Sequence, residues 1–71
     1  MSKKIMSKKR YRDAIAAVGL TQVGASDFFG VDRKTSPRWA RGQSPVHEAV
    51  AKLLRVMMHY KISPDEVEQL E

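Results

Sequence analysis

Between Asp32 and Arg41 the chain sets four bases, Arg33, Lys34, Arg38 and Arg41, against a single acid. A guanidinium is a planar fork of N–H donors and an ammonium is a compact positive charge, so this cluster is equipped to hold phosphates and to donate to acceptor-rich base edges. Arg33, Lys34 and Arg38 stand at i, i+1 and i+5. At ~100° per helical residue, Arg33 and Arg38 fall within about 140° of each other and straddle one side. Other chemistries find no support. The chain has no cysteine, hence no disulfide and no thiolate metal site. His47 and His59 are twelve residues apart, about 120° around a helix, and cannot share a metal within it. Asp13 is a lone carboxylate. No nucleophile elbow, phosphate-cradling glycine loop or placed carboxylate pair is present, so no enzyme activity, metal or cofactor is expected.

The bases need a rod to carry them and a neighbour to hold that rod. Thr21 can cap a short helix whose Ala25, Phe28 and Phe29 recur at helical spacing, with Phe29 the deeper of the two rings and Gly30 taking the positive φ that ends it. Val31 follows as an apolar plug. A second helix, about 32–41, then carries the bases, with Trp39 as its core pin and Gly42 as its stop. Pro37 complicates its start, because proline removes the bond to the carbonyl four residues back, that of Arg33, and disfavours a helical Ser36. Two starts fit. Either Asp32 caps a helix loosened at its first turn, or Ser36 caps a late helix with Pro37 first. The first is preferred because Asp32 directly follows the turn.

This stretch resembles the helix-turn-helix of the Cro/CI (lambda repressor-like) family through Gln22, Gly30-Val31 and Trp39. In that family these places hold a phosphate-contacting glutamine, the turn glycine with its plug, and a core apolar residue. The resemblance covers roughly Tyr11 to Leu70 and implies an all-α, compact five-helix bundle whose second motif helix lies in the major groove of double-stranded DNA. On that basis Arg33 and Arg38, with Lys34, are expected at base edges. Thr35 is expected at a phosphate or thymine methyl, and Gln22 and Arg41 at the backbone. Two positions depart from the family: alanine is usual where Ser26 stands, and a β-branched apolar residue where Ser36 stands.

Net charge is +5, yet residues 1–12 alone carry six bases and no acid, leaving −1 for the rest. Met1 to Arg10, with its repeated Met-Ser-Lys-Lys, is read as a flexible basic arm whose Lys3, Lys4, Lys8, Lys9 and Arg10 can lie along phosphates. The domain proper is then 11–71. Its first helix runs from Tyr11 to Val18 with Tyr11, Ile15 and Val18 on one face, and stops at Gly19. Leu20 belongs to the core. Ser44-Pro45 reads as the cap and first position of a long helix reaching about His59. Its stripe of Val46, Val50, Leu53, Met57 and Tyr60, widened by Ala49, Leu54, Val56 and Met58, suits the central helix of the bundle. Ser63-Pro64-Asp65-Glu66 reads as a capped start with a capping box, followed by Val67 and Leu70.

Seventy-one residues make one domain with a marginal core, which dimerisation would relieve. Val56, Met58, Tyr60, Val67 and Leu70 are the candidate dimer contacts. No apolar run approaches the ~20 residues of a membrane span and no apolar h-region follows the first lysines, so a cytoplasmic, nucleoid-associated protein is expected. The whole points to a sequence-specific DNA-binding regulator, repressor or antitoxin-like, bacterial or prophage, acting as a homodimer. The rival from another class is a protein-interaction module on the same scaffold, its basic face meeting an acidic protein.

Overall fold

A computed structural model describes residues 6–70. Five helices follow one another: α1 (Lys8–Val18), α2 (Gln22–Phe29), α3 (Thr35–Arg41), α4 (Glu48–Tyr60) and α5 (Pro64–Glu68). No strand occurs among the described residues, as an all-α chain requires.

Helix α1 begins three residues before Tyr11, which corrects the expected arm. Ser7 is extended and its hydroxyl accepts the Arg10 N–H at 3.1 Å, while Met6 is buried at 7 % exposure. A cap and an apolar anchor thus order Lys8, Lys9 and Arg10 into a first turn, although three bases oppose the positive end of the helix dipole. Lys3 and Lys4 lie outside the described residues.

Tyr11, Ala14 and Ile15 are buried, and α1 packs against α2, α3 and α4. The central place expected of α4 therefore belongs to α1. The Tyr11 ring meets Trp39 edge-on at 5.6 Å between centroids, and the Phe29 ring lies 6.4 Å from Trp39, tilted by 60°. These three rings join α1, α2 and α3.

Local chemistry explains most boundaries. Thr21 accepts the Gly24 N–H at 2.9 Å, and Gly30 at φ 72° ends α2 in the left-handed region where a side chain would be strained. Ser63 and Glu66 form the reciprocal capping box of α5, at 2.8 and 3.2 Å. Helix α4, in contrast, starts later than Ser44-Pro45 suggested. Its cap is His47, whose Nδ1 accepts the Ala49 N–H at 3.1 Å, and Val46 is buried in the loop ahead of it. The core-facing line of α4 is Ala51, Leu54 and Met57, about one residue around from the expected stripe, and Tyr60 is 68 % exposed. Val50 and Leu53 instead line a shallow groove with Phe28, Phe29, Val67 and Leu70, between α2, α4 and α5.

Candidate nucleic-acid interface

Helix α3 follows neither expected start. Its first helical residue is Thr35, with Lys34 in the cap position, so Pro37 is third. The N–H groups at the beginning of a helix have no partner inside it, and a proline there forfeits no helical donor. Each remaining donor is satisfied from outside the helical ladder. The Lys34 N–H donates to the Asp32 carboxylate at 3.0 Å, and the Thr35 N–H to the Asp32 carbonyl at 2.9 Å. The Ser36 N–H donates to the Ser26 hydroxyl at 3.0 Å. The acidic residue expected to cap the helix therefore holds the turn in front of it.

The carbonyl that Pro37 leaves without a helical donor is filled as well. Ser26 Oγ donates to the Arg33 carbonyl at 3.1 Å, so one hydroxyl joins α2 to both sides of the turn into α3. Ser36 Oγ in turn hydrogen-bonds the Tyr11 hydroxyl on α1. Ser26 and Ser36 are fully buried. Among the described residues no buried side-chain polar atom lacks a partner. The two serines that depart from the resembled family are thus members of one network with Tyr11. Burial pushes the Tyr11 hydroxyl above its ordinary pKa, partly opposed by the bond to Ser36.

The other end of α3 is tied to α1. Arg12 donates from its guanidinium to the Ala40 carbonyl at 2.6 Å, a charge-assisted bond at the negative end of the helix. Gly42 at φ 81° closes α3 beneath the Lys8 stem, where an added Cβ would meet Lys8 Cδ at 2.9 Å.

With its ends fixed and Trp39 and Ala40 buried, α3 presents its bases outward. Arg33, Lys34, Arg38 and Arg41 line a single surface depression of about 570 Å³ together with Val23, Pro37 and Gln43. All four bases are exposed, and none makes a side-chain hydrogen bond or ion pair with a described residue. Arg38 and Arg41 are one turn apart on the helix, while Arg33 and Lys34 approach from the preceding turn. Gln22 is exposed at the first position of α2, next to Val23 of the depression but not lining it, and Thr35 is half-buried and does not line it either.

Sequence reasoning missed the residues that hold this surface: Ser26, Ser36 and Tyr11 as a network, and Arg12 as a tether. One signal was available. A proline near a helix start leaves a carbonyl in need of a donor, and hydroxyls stood where apolar residues were expected.

Among the described residues no group of acids and histidines is placed to hold a metal, and no helix is long and apolar enough to cross a membrane. Comparison with protein-family models, curated proteins and solved structures finds no match.

Proposed function

We propose that the chain binds double-stranded DNA sequence-specifically, with α2 and α3 acting as a helix-turn-helix and α3 entering the major groove. The observation that carries this proposal is the convergence of Arg33, Lys34, Arg38 and Arg41, exposed and with no ion pair to a described residue, around one depression on the outward side of a helix pinned by Trp39. Exposed guanidinium groups on a helix and on the turn that leads into it suit bidentate donation to guanine, and lysine adds attraction to phosphate. Gln22, at the start of α2, and Lys8, Lys9 and Arg10, in the first turn of α1, supply further backbone contacts.

In this proposal the protein is a transcriptional regulator, a repressor or antitoxin-like factor, working as a homodimer at the nucleoid. Val56, Tyr60 and Leu70 are exposed apolar residues, and Val67 and Leu70 edge the groove between α2, α4 and α5. Exposed apolar side chains on α4 and after α5 favour self-association at that end, with half-buried Met58 beside them. Two subunits would present their α3 helices about one DNA turn apart, ~34 Å.

The test is selection of bound duplexes from a random pool at near-physiological salt, beside the Arg33→Ala, Arg38→Ala double variant. A two-fold symmetric site enriched by the parent protein and lost in the variant is the expected outcome. Enrichment of no sequence would favour the interaction module, and an acidic protein partner would then be sought.

A further inference from the structure

We infer that Ser26 and Pro37 are a matched pair that sets the origin of Arg33 and Lys34. Ser26 thereby becomes a specificity-determining positioning residue without touching DNA; the inference rests on the DNA-binding function proposed above. In an uninterrupted helix the Arg33 carbonyl would accept from residue 37, and proline has no N–H to give. The Ser26 hydroxyl donates to that carbonyl instead, at 3.1 Å, and accepts the Ser36 N–H at 3.0 Å. A single buried oxygen therefore bridges both sides of the Arg33–Ser36 segment.

Two elements of an earlier helix start are already in place, although the Ser36 N–H, which would close its first bond on the Asp32 carbonyl, donates to Ser26 instead. The Asp32 carboxylate accepts the Lys34 N–H at 3.0 Å, as an N-cap side chain does two residues on. Lys34 itself has helical dihedrals, φ −85° and ψ −9°. Pro37 is what bars α3 from beginning at Arg33. Its consequence is geometric: Arg33 and Lys34 reach the depression from a turn anchored on α2, while Arg38 and Arg41 reach it from the helix. Loosening that turn moves half of the basic groove relative to the other half.

The pair makes a coupled prediction. Ser26→Ala leaves the Arg33 carbonyl and the Ser36 N–H without their partner and releases the turn. Pro37→Ala supplies a new N–H at residue 37, which can take the Arg33 carbonyl and lengthen α3 toward Asp32. Added to Ser26→Ala, it should restore order to Arg33 by a different route.

The experiment compares the parent protein with Ser26→Ala, Pro37→Ala and the double variant. It measures affinity for the duplex selected by the parent, affinity for unrelated duplex, and amide exchange at Ser36. For Ser26→Ala we expect discrimination between the two duplexes to fall about tenfold, the worth of one base contact, with affinity for unrelated duplex nearly unchanged and Ser36 exchange accelerated. The double variant should recover discrimination relative to Ser26→Ala. Pro37→Ala alone should show helical chemical shifts extended to Arg33, an outcome that remains decisive if Ser26→Ala does not fold. Equal loss of affinity for both duplexes, or independent effects of the two substitutions, would overturn the pairing while leaving DNA binding intact. A parent protein that enriches no sequence would instead overturn the function on which the inference rests.

Discussion

The two ends of this molecule are held by different kinds of force. At the α2–α3 end, the packing of Tyr11, Phe29 and Trp39 is supplemented by hydrogen bonds between residues distant in sequence: Ser26 to Arg33 and Ser36, Ser36 to Tyr11, and Arg12 to Ala40. At the α4–α5 end, order comes from caps closed within a few residues, at His47 and Ser63, and from the apolar line Ala51, Leu54 and Met57 against α1. Hydrogen bonds are directional and apolar contacts are not. The first end can fix where a side chain starts, and it is the end that carries the four exposed bases. The second supplies cohesion and tolerates a face left open toward solvent.

The contrast can be broken most severely from the cohesive end. Leu54 is fully buried in α4. Leu54→Ala is expected to lose ~2–5 kcal/mol, enough to unfold much of a chain this small, as read by urea denaturation. At the directional end, Arg12→Met keeps much of the stem but removes the bond to the Ala40 carbonyl. A loss of ~1.5–3 kcal/mol is expected, with the C-terminal turn of α3 fraying first in amide exchange.

Tyr11→Phe leaves the Ser36 hydroxyl buried without its partner and should lose ~1–3 kcal/mol, whereas adding Ser36→Ala should lose less than the sum of the two single changes. The same substitution has a pH signature. The Tyr11 pKa is raised by burial in the folded chain, so its contribution to stability is complete below the ordinary tyrosine value of ~10 and is lost as pH rises through the folded value. Chemical denaturation above pH 10 should therefore fall more steeply for the parent protein than for Tyr11→Phe. The smallest effect belongs to the local caps: Ser63→Ala should lose ~0.5–2 kcal/mol, confined to α5, with α1–α3 exchange unchanged. If that change instead loosened α3, the two ends would not be separable.

The same division explains what the amino-acid order disclosed. Thr21, Gly30, Gly42 and Ser63 act within a turn of their own positions, and each performs as its residue type suggests. Trp39 was legible as core because a lone tryptophan at a helix position facing the preceding helix is usually buried. The basic run at Lys8–Arg10 concealed a helix start, since charge composition says nothing of Met6 finding a buried seat. The stripe of α4 was displaced by about one residue because its apolar arc is wide, and packing on α1 chose the line within it. The α3 start was out of reach for a different reason. Pro37 announced a disturbed start, but the hydroxyl that takes up the freed Arg33 carbonyl and the Ser36 N–H comes from Ser26, on another helix, and no local pattern names that partner.

The central place of α1 bears also on how the chain acquires its shape. Tyr11, Ala14 and Ile15 precede in the chain all three helices that cover them, α2, α3 and α4. The bond from Tyr11 to Ser36 spans 25 residues, and Leu54 lies farther still along the chain. A short helical protein that folded by pairing neighbours could assemble piece by piece. Here the apolar face of the first helix is not fully covered until α4 joins α2 and α3, which favours a single cooperative step over stepwise accretion.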